Sequence, residues 1–379
     1  MKFKLLTKFQ KEYSFYKDNL PHWNDTHPMK LIDDINKFHY WKYINPILDL
    51  TDEIDENEQY IFPIWWDSPR GDLNYIPIDT MNELIAFVKK NKTYFDRRIL
   101  IPVFFDVLEG FDEPAERVEY FINVFENTIP TFFVSGNHKF KNRKNLFKFY
   151  YLDHWVYHLD PNAINYKPIE KLYINLNRTL RYHRCILMDY IIDNDLLNDG
   201  YNTWSNGSVV REYLQKNTDS KINKNTYDIL DFEDIGRSNP TFATPIEFCK
   251  KTFLFLVTET YYDSTNFFIS EKTYKPISIG MPFMILGNPG TLEYLREKGY
   301  LTFSRWFDEN YDQDAPLEDR IQIIINNLKY IKSLSNTELM KMFYEMRIIC
   351  NHNLEVYKIH QRKNSFLEIL DNIIQYRKI

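Results

Sequence analysis

Two stretches of this chain are apolar almost without a break: ILIPVFF at 99–105 and TFLFLVT at 252–258. A strand with one wet face alternates polar and apolar residues, so unbroken runs of this kind need cover on both faces. Parallel sheets with helices on either side supply that cover. The flanking sequence agrees. YIFPIWW (60–66) reads as a strand, MNELIAFVKKN (81–91) has helical spacing, and RRILIPVFFD (97–106) is the next strand. PAERVEYFINVFEN (114–127) is a helix with proline in its first turn, and TFFVSG (131–136) is a strand closed by glycine. Strand, loop, helix and strand in units of about thirty residues is the pattern of a doubly wound sheet.

A second series starts near residue 170. KLYINLN (171–177) reads as a strand, HRCILMDYIIDN (183–194) as a helix and TFLFLVTET (252–260) as a central strand. EKTYKPISIG follows as a helix, MPFMILG as a strand, PGTLEYLREKG as a helix stopped by Gly299, and LTFS as a short last strand. The polar stretch 215–245 reads as a loop insertion and 317–378 as helical, while the first fifty residues offer no motif. The expectation is an α/β fold of two Rossmann-like domains facing a cleft. The first spans 1–165 and the second 166–355, with a C-terminal helix over 356–379 packing back on the first.

Composition narrows the classes. The 379 residues carry a formal net charge of -6, which argues against bulk electrostatic binding to nucleic acid or anionic membrane. The three cysteines, Cys185, Cys249 and Cys350, stand far apart with no CxxC pair, which fits a reducing compartment and no thiolate zinc site. No apolar run approaches the roughly 18–20 residues that span a bilayer. The N-terminal MKFKLLTKFQKEYSFYKDN lacks an apolar h-region and a cleavage site, so a mature cytoplasmic protein is expected.

Three groups of residues carry candidate chemistry. Asn177, Arg178, Arg181, His183 and Arg184 follow a predicted strand at the mouth of a helix, where arginine forks match phosphate oxygens. Glu259 closes the next strand, and Glu271 with Lys272 opens the helix after it; carboxylates accept from sugar hydroxyls and lysine pairs with phosphate. In GNPGTLEYL (287–295), Asn288, Gly290 and Thr291 form a turn into a further helix, a setting that suits an anionic ligand. The plainer alternatives are a basic turn, a glutamate favouring the helix dipole, and a sharp chain reversal. WFDENYDQD, with Asp308, Glu309, Tyr311 and Asp312, reads equally as an acidic surface loop. In the first domain Asp106 and Glu109 follow the apolar strand, placed to take a proton from an acceptor hydroxyl. Asp193-Asn194-Asp195 fits a DxD metal pattern but ends a helix, where acids are usually solvated, and no metal site is expected.

The segment from Glu259 through Asp312 resembles the nucleotide-binding half of the fucosyltransferase-like glycosyltransferases (family ten), which have the GT-B fold. The hallmark there is (Y/F)-x-x-E-K, a helix, a glycine, a Pro-containing apolar strand and a glycine turn; here it reads FFISEKTYKPISIGMPFMILG. Viral and bacterial relatives with EKT-x-KP, LGNPGTL and DE-x-YD are the most similar, and INLNRTLRYHR looks like their N-R-x-x-R-x-H-R stretch. The resemblance covers roughly 170–355. It implies a metal-independent, inverting transfer from a nucleotide-sugar substrate, with no further cofactor. Glu271 and Lys272 would hold donor ribose and diphosphate, with Glu259 approaching from the preceding strand. Arg178, Arg181 and Arg184 would neutralise the leaving group. The helix reads TYKPISIG rather than a Leu/Ala-rich run, and TETYYDSTNFF lacks the asparagine-serine pattern of fucose transferases, which leaves GDP-fucose and other donors open. The acceptor partner would be a glycan or other hydroxyl or, in a viral setting within the host cytoplasm, a modified DNA base. A non-catalytic nucleotide- or glycan-binding module is the rival from another class.

Overall fold

The structure is a computed structural model that describes residues 3–6, 48–51, 54–66, 86, 89–106, 123, 132–135, 145–148, 168–177, 181–203, 213–223, 245–264, 267–362 and 372–373. The chain divides into two compact units, Met1–Phe149 with Phe366–Ile379, and Tyr150–Ser365. Both are built on parallel sheets with helices.

In the first unit the strands are β1 (Phe3–Leu6), β2 (Leu48–Thr51), β3 (Tyr60–Trp66), β4 (Leu100–Asp106), β5 (Phe132–Ser135) and β6 (Leu146–Lys148). Their order is β2-β1-β3-β4-β5-β6, with every pairing parallel. β1 and β2 fall in the stretch that offered no motif; four residues each are too few to show a period. The expected strand at 97–106 begins three residues later. Arg97 and Arg98 instead close a short helix, α1 (Lys92–Asp96), and Arg98 takes a positive φ of 58°. The Arg98 N–H donates to Phe95 and the Ile99 N–H to Tyr94, the double bond that ends a helix and aims the chain into a strand. Of the expected helices at 81–91 and 114–127, only positions 86, 89, 90, 91 and 123 are described.

The second unit has β7 (Lys171–Leu176), β8 (Gly200–Thr203), β9 (Thr252–Thr258) and β10 (Phe283–Leu286), all parallel, in the order β10-β9-β7-β8. Every residue of β9 is buried, as its unbroken apolar run demands. The helices that accompany this sheet include α2 (Tyr182–Asp193), α3 (Ile246–Cys249), α4 (Glu271–Ser278), α5 (Thr291–Glu297), α6 (Leu317–Ser333) and α7 (Asn336–Arg362). α6 buries Ile321, Ile324, Ile325, Leu328 and Ile331, a stripe at helical spacing, and each such side chain adds about 1.5–3 kcal/mol of transfer free energy. α7 adds Phe343, whose ring meets Phe253 of β9 at 5.9 Å, and Tyr357, stacked on Tyr274 of α4 at 6.2 Å.

Close packing of β7 on β8 depends on one glycine. Gly200 pairs with Tyr173, and a Cβ at Gly200 would sit 2.2 Å from the Tyr173 Cζ. The expected last strand at 301–304 does not form. Asn353 of α7 accepts from the Leu301 N–H at 2.7 Å and donates to its carbonyl at 2.8 Å, so a side-chain amide takes the place of a strand neighbour. The described part of the 215–245 stretch begins in a single helical turn at 213–216 and holds a 3-10 turn at Lys221–Asn223.

In each sheet the first strand lies between the second and the third. The chain therefore moves outward on both sides of β1 and of β7, and a topological switch point falls between β1 and β3 and again between β7 and β9.

Candidate functional site

Ligands of doubly wound sheets lie beyond the carboxyl ends of the strands at the switch point. In the second sheet that edge carries a buried polar network. The Thr258 hydroxyl donates to Asn177 Oδ1 at 2.6 Å, and the Asn177 amide group donates to Asn175 Oδ1. Asn175 Nδ2 reaches the Leu256 carbonyl at 2.7 Å, and the Asn177 N–H meets the Thr203 hydroxyl at 2.8 Å. Three strands are thus cross-linked at their ends by groups that satisfy one another, which fixes the edge in one arrangement.

Three helices open on this edge, and their mouths differ. At α4, Ser270 is the N-cap and its hydroxyl accepts from the Lys272 N–H at 3.2 Å. Behind it the fully buried Glu259 carboxylate accepts the Ser270 N–H at 3.1 Å, the Thr273 N–H at 3.2 Å, the Thr260 N–H at 3.1 Å, the Thr273 hydroxyl at 2.6 Å and the Ser270 hydroxyl. At α5, Gly290 holds the αL conformation (φ 83°) that the turn requires, and Asp312 plays the corresponding part. Its Oδ2 accepts the Leu292 N–H at 2.9 Å and its backbone carbonyl the Gly290 N–H at 2.8 Å. Each of these mouths carries its own acid. α2 differs: Arg181 is the N-cap and makes no side-chain capping bond.

The charged side chains gather around the turn after β9. Arg181 lies over the Tyr261 ring, 5.2 Å from its centroid, and Lys272 Nζ stands 3.3 Å from the hydroxyl of the adjacent Thr260. Lys272 also reaches Ser270 Oγ at 3.2 Å and the Glu271 carboxylate at 3.0 Å. Glu271 is buried; burial alone would raise its pKa, but Lys272 and Lys275 outweigh it and hold the carboxyl below its ordinary value. Lys275, one turn on and also buried, is pushed down to about 8 by desolvation, against the pull of Glu271. Arg184 is buried and donates to the Thr258 and Glu259 carbonyls at 3.0 and 2.8 Å. His183 is fully buried, its Nε2 2.9 Å from the Glu259 carbonyl and its ring 4.8 Å from that of Tyr262. A carbonyl only accepts, so Nε2 carries the proton and Nδ1 is an acceptor, buried with no partner among the described residues. Burial and Arg184 keep the imidazole neutral, its pKa well below the ordinary value.

The expected residues therefore separate. Arg181 and Lys272 stand on Tyr261 and Thr260 of the turn after β9, and Glu271 pairs with Lys272. His183, Arg184 and Glu259 lie beneath that turn and hold the end of β9 and the start of α4. Asn288 braces the chain after β9, accepting from the Phe268 N–H at 2.9 Å and donating to the Asp263 carbonyl at 2.8 Å. The Thr291 hydroxyl is spent on the Asn288 carbonyl at 2.6 Å rather than offered to a phosphate. Arg178 and Glu109 lie outside the described residues; Asp106 ends β4, in register with Trp66 and Ser135.

Glu309 and Asp312 do not form a solvated acidic loop. Glu309 staples it through Phe303, Thr302 and Arg296 at 2.6, 2.9 and 3.1 Å. Asp193 and Asp195 of the DxD pattern pair with Lys221 and Lys332, and Asp195 takes φ 54° at the end of α2. Arg320 was not anticipated. Fully buried on α6, it donates to the carbonyls of Tyr311, Tyr262 and Gly287 at 2.6, 2.5 and 2.6 Å, tying together the loops after β9 and β10. An arginine in LEDRIQIII looks like any solvated helix residue; the one signal is its place in the apolar stripe, four residues before Ile324.

Comparison with protein-family models, with curated proteins and with solved structures gave no match to this chain. Among the described residues no helix is long and apolar enough to cross a membrane.

Proposed function

We propose that the chain is a glycosyltransferase that moves a sugar from a nucleotide-diphosphate donor to an acceptor hydroxyl, on a glycan in the first instance. On this reading the two units face each other across a cleft in the GT-B manner, in a cytoplasmic protein. The observation that carries the reading is a pair of cations on the turn that leaves β9, Arg181 over the Tyr261 ring and Lys272 at the Thr260 hydroxyl, beside the switch point between β7 and β9. Two cations at that edge suit a pyrophosphate, and the ionised Glu271 beside them suits a ribose diol.

In the proposed step a first-unit carboxylate, Asp106 or Glu109, takes the proton of the acceptor hydroxyl. The freed oxygen forms a bond to the anomeric carbon, and the bond from that carbon to the diphosphate oxygen breaks with its electron pair. Inversion follows from the in-line attack, and Arg181 and Lys272, with Arg178, stabilise the charge on the departing diphosphate. The resemblance assigns this neutralisation to side chains rather than to a metal ion.

The test is hydrolysis or transfer across a panel of sugar nucleotides. Lys272→Ala and Arg181→Ala are expected to lower the rate with the preferred donor at least about tenfold, the effect of one lost charged contact. Full activity in both variants would remove the site. One observation favours the second reading, a nucleotide-binding module without turnover: the mouths of α4 and α5 are already closed by Glu259 and Asp312. Thermal stabilisation by a nucleotide, with no transfer to any acceptor, would select it.

A further inference from the structure

The inner face of α7 is spent on the core of the second unit, where Leu339, Phe343, Met346, Cys350, Leu354 and Tyr357 are buried at helical spacing. The outer face carries Tyr344, Ile348 and Ile359 in water. Ile348 is 76% exposed, the most of any large hydrophobic among the described residues. Single exposed apolar residues are ordinary on a protein surface. The order of this row is not. Exposed residues follow one face at 337, 341, 344, 348, 352, 355 and 359, in steps of four, three and four on either side of Ile348.

The row is palindromic in spacing and complementary in chemistry. Equidistant from Ile348 stand Tyr344 and His352, Lys341 and Glu355, and Thr337 and Ile359. A two-fold axis across the helix at Ile348 sets each residue against the other member of its pair on a second copy, and every such contact occurs twice. Ile348 then faces Ile348, a phenol ring faces an imidazole, and an ammonium faces a carboxylate. Glu355 accepts from Lys358 at 2.6 Å through one oxygen, and a carboxylate has a second for Lys341 of the other copy. Parallel pairing would set each residue against itself, ammonium on ammonium and carboxylate on carboxylate, which opposes association.

We propose that α7 is an interface between two copies of the chain, the helices antiparallel and crossing at Ile348. From Thr337 to Ile359 the seam runs about 33 Å, at 1.5 Å per residue. The pairing is independent of any reaction at the carboxyl edge of the sheet.

The test is sedimentation equilibrium of the full chain and its variants, with circular dichroism to separate loss of pairing from loss of fold. The wild type should approach twice the chain mass as its concentration rises. Ile348→Glu should abolish the dimer, since two carboxylates then meet on the axis. Lys341→Glu and Glu355→Lys each set like charges at both symmetric contacts and should weaken it about tenfold or more, whereas the double variant should return to within about threefold of wild type. Should Ile348→Glu fail to fold, this charge reversal decides. Orientation is read by oxidative cross-linking, with the native cysteines buried. Ile348→Cys should link to its copy, and Thr337→Cys, about 33 Å from its copy in the antiparallel pair, should not. A wild type monomeric at every concentration, a dimer that survives Ile348→Glu, a double variant as weak as the single ones, or cross-linking through Thr337→Cys would overturn the proposal.

Discussion

The Glu259 carboxylate accepts the backbone N–H of Thr273 at 3.2 Å, so the residue that follows β9 caps the helix carrying Glu271 and Lys272. Strand end and helix start are locked by one buried acid. That lock sets where the two candidate ligand-binding side chains stand.

Glu259→Gln is therefore expected to destabilise the chain by about 3 kcal/mol, since an amide offers one accepting oxygen and sets an NH2 against backbone N–H groups, which only donate. Chemical denaturation measures it. A loss below about 1 kcal/mol would show that the N–H and hydroxyl groups of Ser270 and Thr273 find other partners.

Arg320 bridges the carbonyls of Tyr311, Tyr262 and Gly287 from within the core. Arg320→Met removes three charge-assisted bonds and leaves buried carbonyls bare, so a loss of about 3–5 kcal/mol is expected. Proteolysis should cut first in the loops after β9 and β10, the segments that Arg320 ties together.

Much of this unit could be read from residues alone, for local reasons. β9 announces itself through five consecutive apolar residues, Phe253 to Val257, and α4 through the acid and base at its mouth, Glu271 and Lys272. Gly280 and Gly299 mark the ends of α4 and α5 with positive φ of 66° and 88°. The placing of Arg181 at a strand end was read from basic residues that follow KLYINLN; the pairing of β7 with β9 came from the structure. Long-range partnership was not legible. Nothing near Glu259 in sequence says that its oxygens serve residues eleven and fourteen positions on. Arg184 and Arg181 look alike in RYHR, yet a helical turn sends one into the core and leaves the other at the edge. LTFS looks like a strand because its alternation is right; Asn353, fifty-two residues later, takes the pairing. Strands β1 and β2 are shorter than any periodic signal.

Asp312 makes stability depend on pH. Desolvation raises its pKa from 3.8 to about 7, against the bonds from Leu292 and Glu293. Between roughly pH 4 and 7 the folded chain keeps a proton that the unfolded chain has released, so this group's contribution falls as pH rises through that window. Asp312→Asn keeps a capping oxygen without the charge. Its stability relative to wild type should be near parity at pH 4 and higher by ~2 kcal/mol at pH 8, below the ~4 kcal/mol a full displacement would allow. Parallel stability curves from pH 4 to 8 would contradict the account.

Lys275 acts at the other end of the scale. Burial lowers its pKa from 10.5 to about 8, so between about pH 8 and 10.5 the unfolded chain holds the extra proton and stability rises with pH. Lys275→Met should remove that rise, as read from thermal unfolding across the range. An unchanged slope would place the ammonium in water rather than behind Glu271.

The most direct measurement is calorimetric titration of the full chain with nucleoside diphosphates, using Lys251→Ala as a control; Lys251 precedes β9 at the opposite edge of the sheet and pairs with Glu170. At least one diphosphate should bind, about tenfold more weakly to Lys272→Ala and to Arg181→Ala and equally well to the control. No binding by any diphosphate, or wild-type affinity in both edge variants, would contradict a pyrophosphate site between β7 and β9.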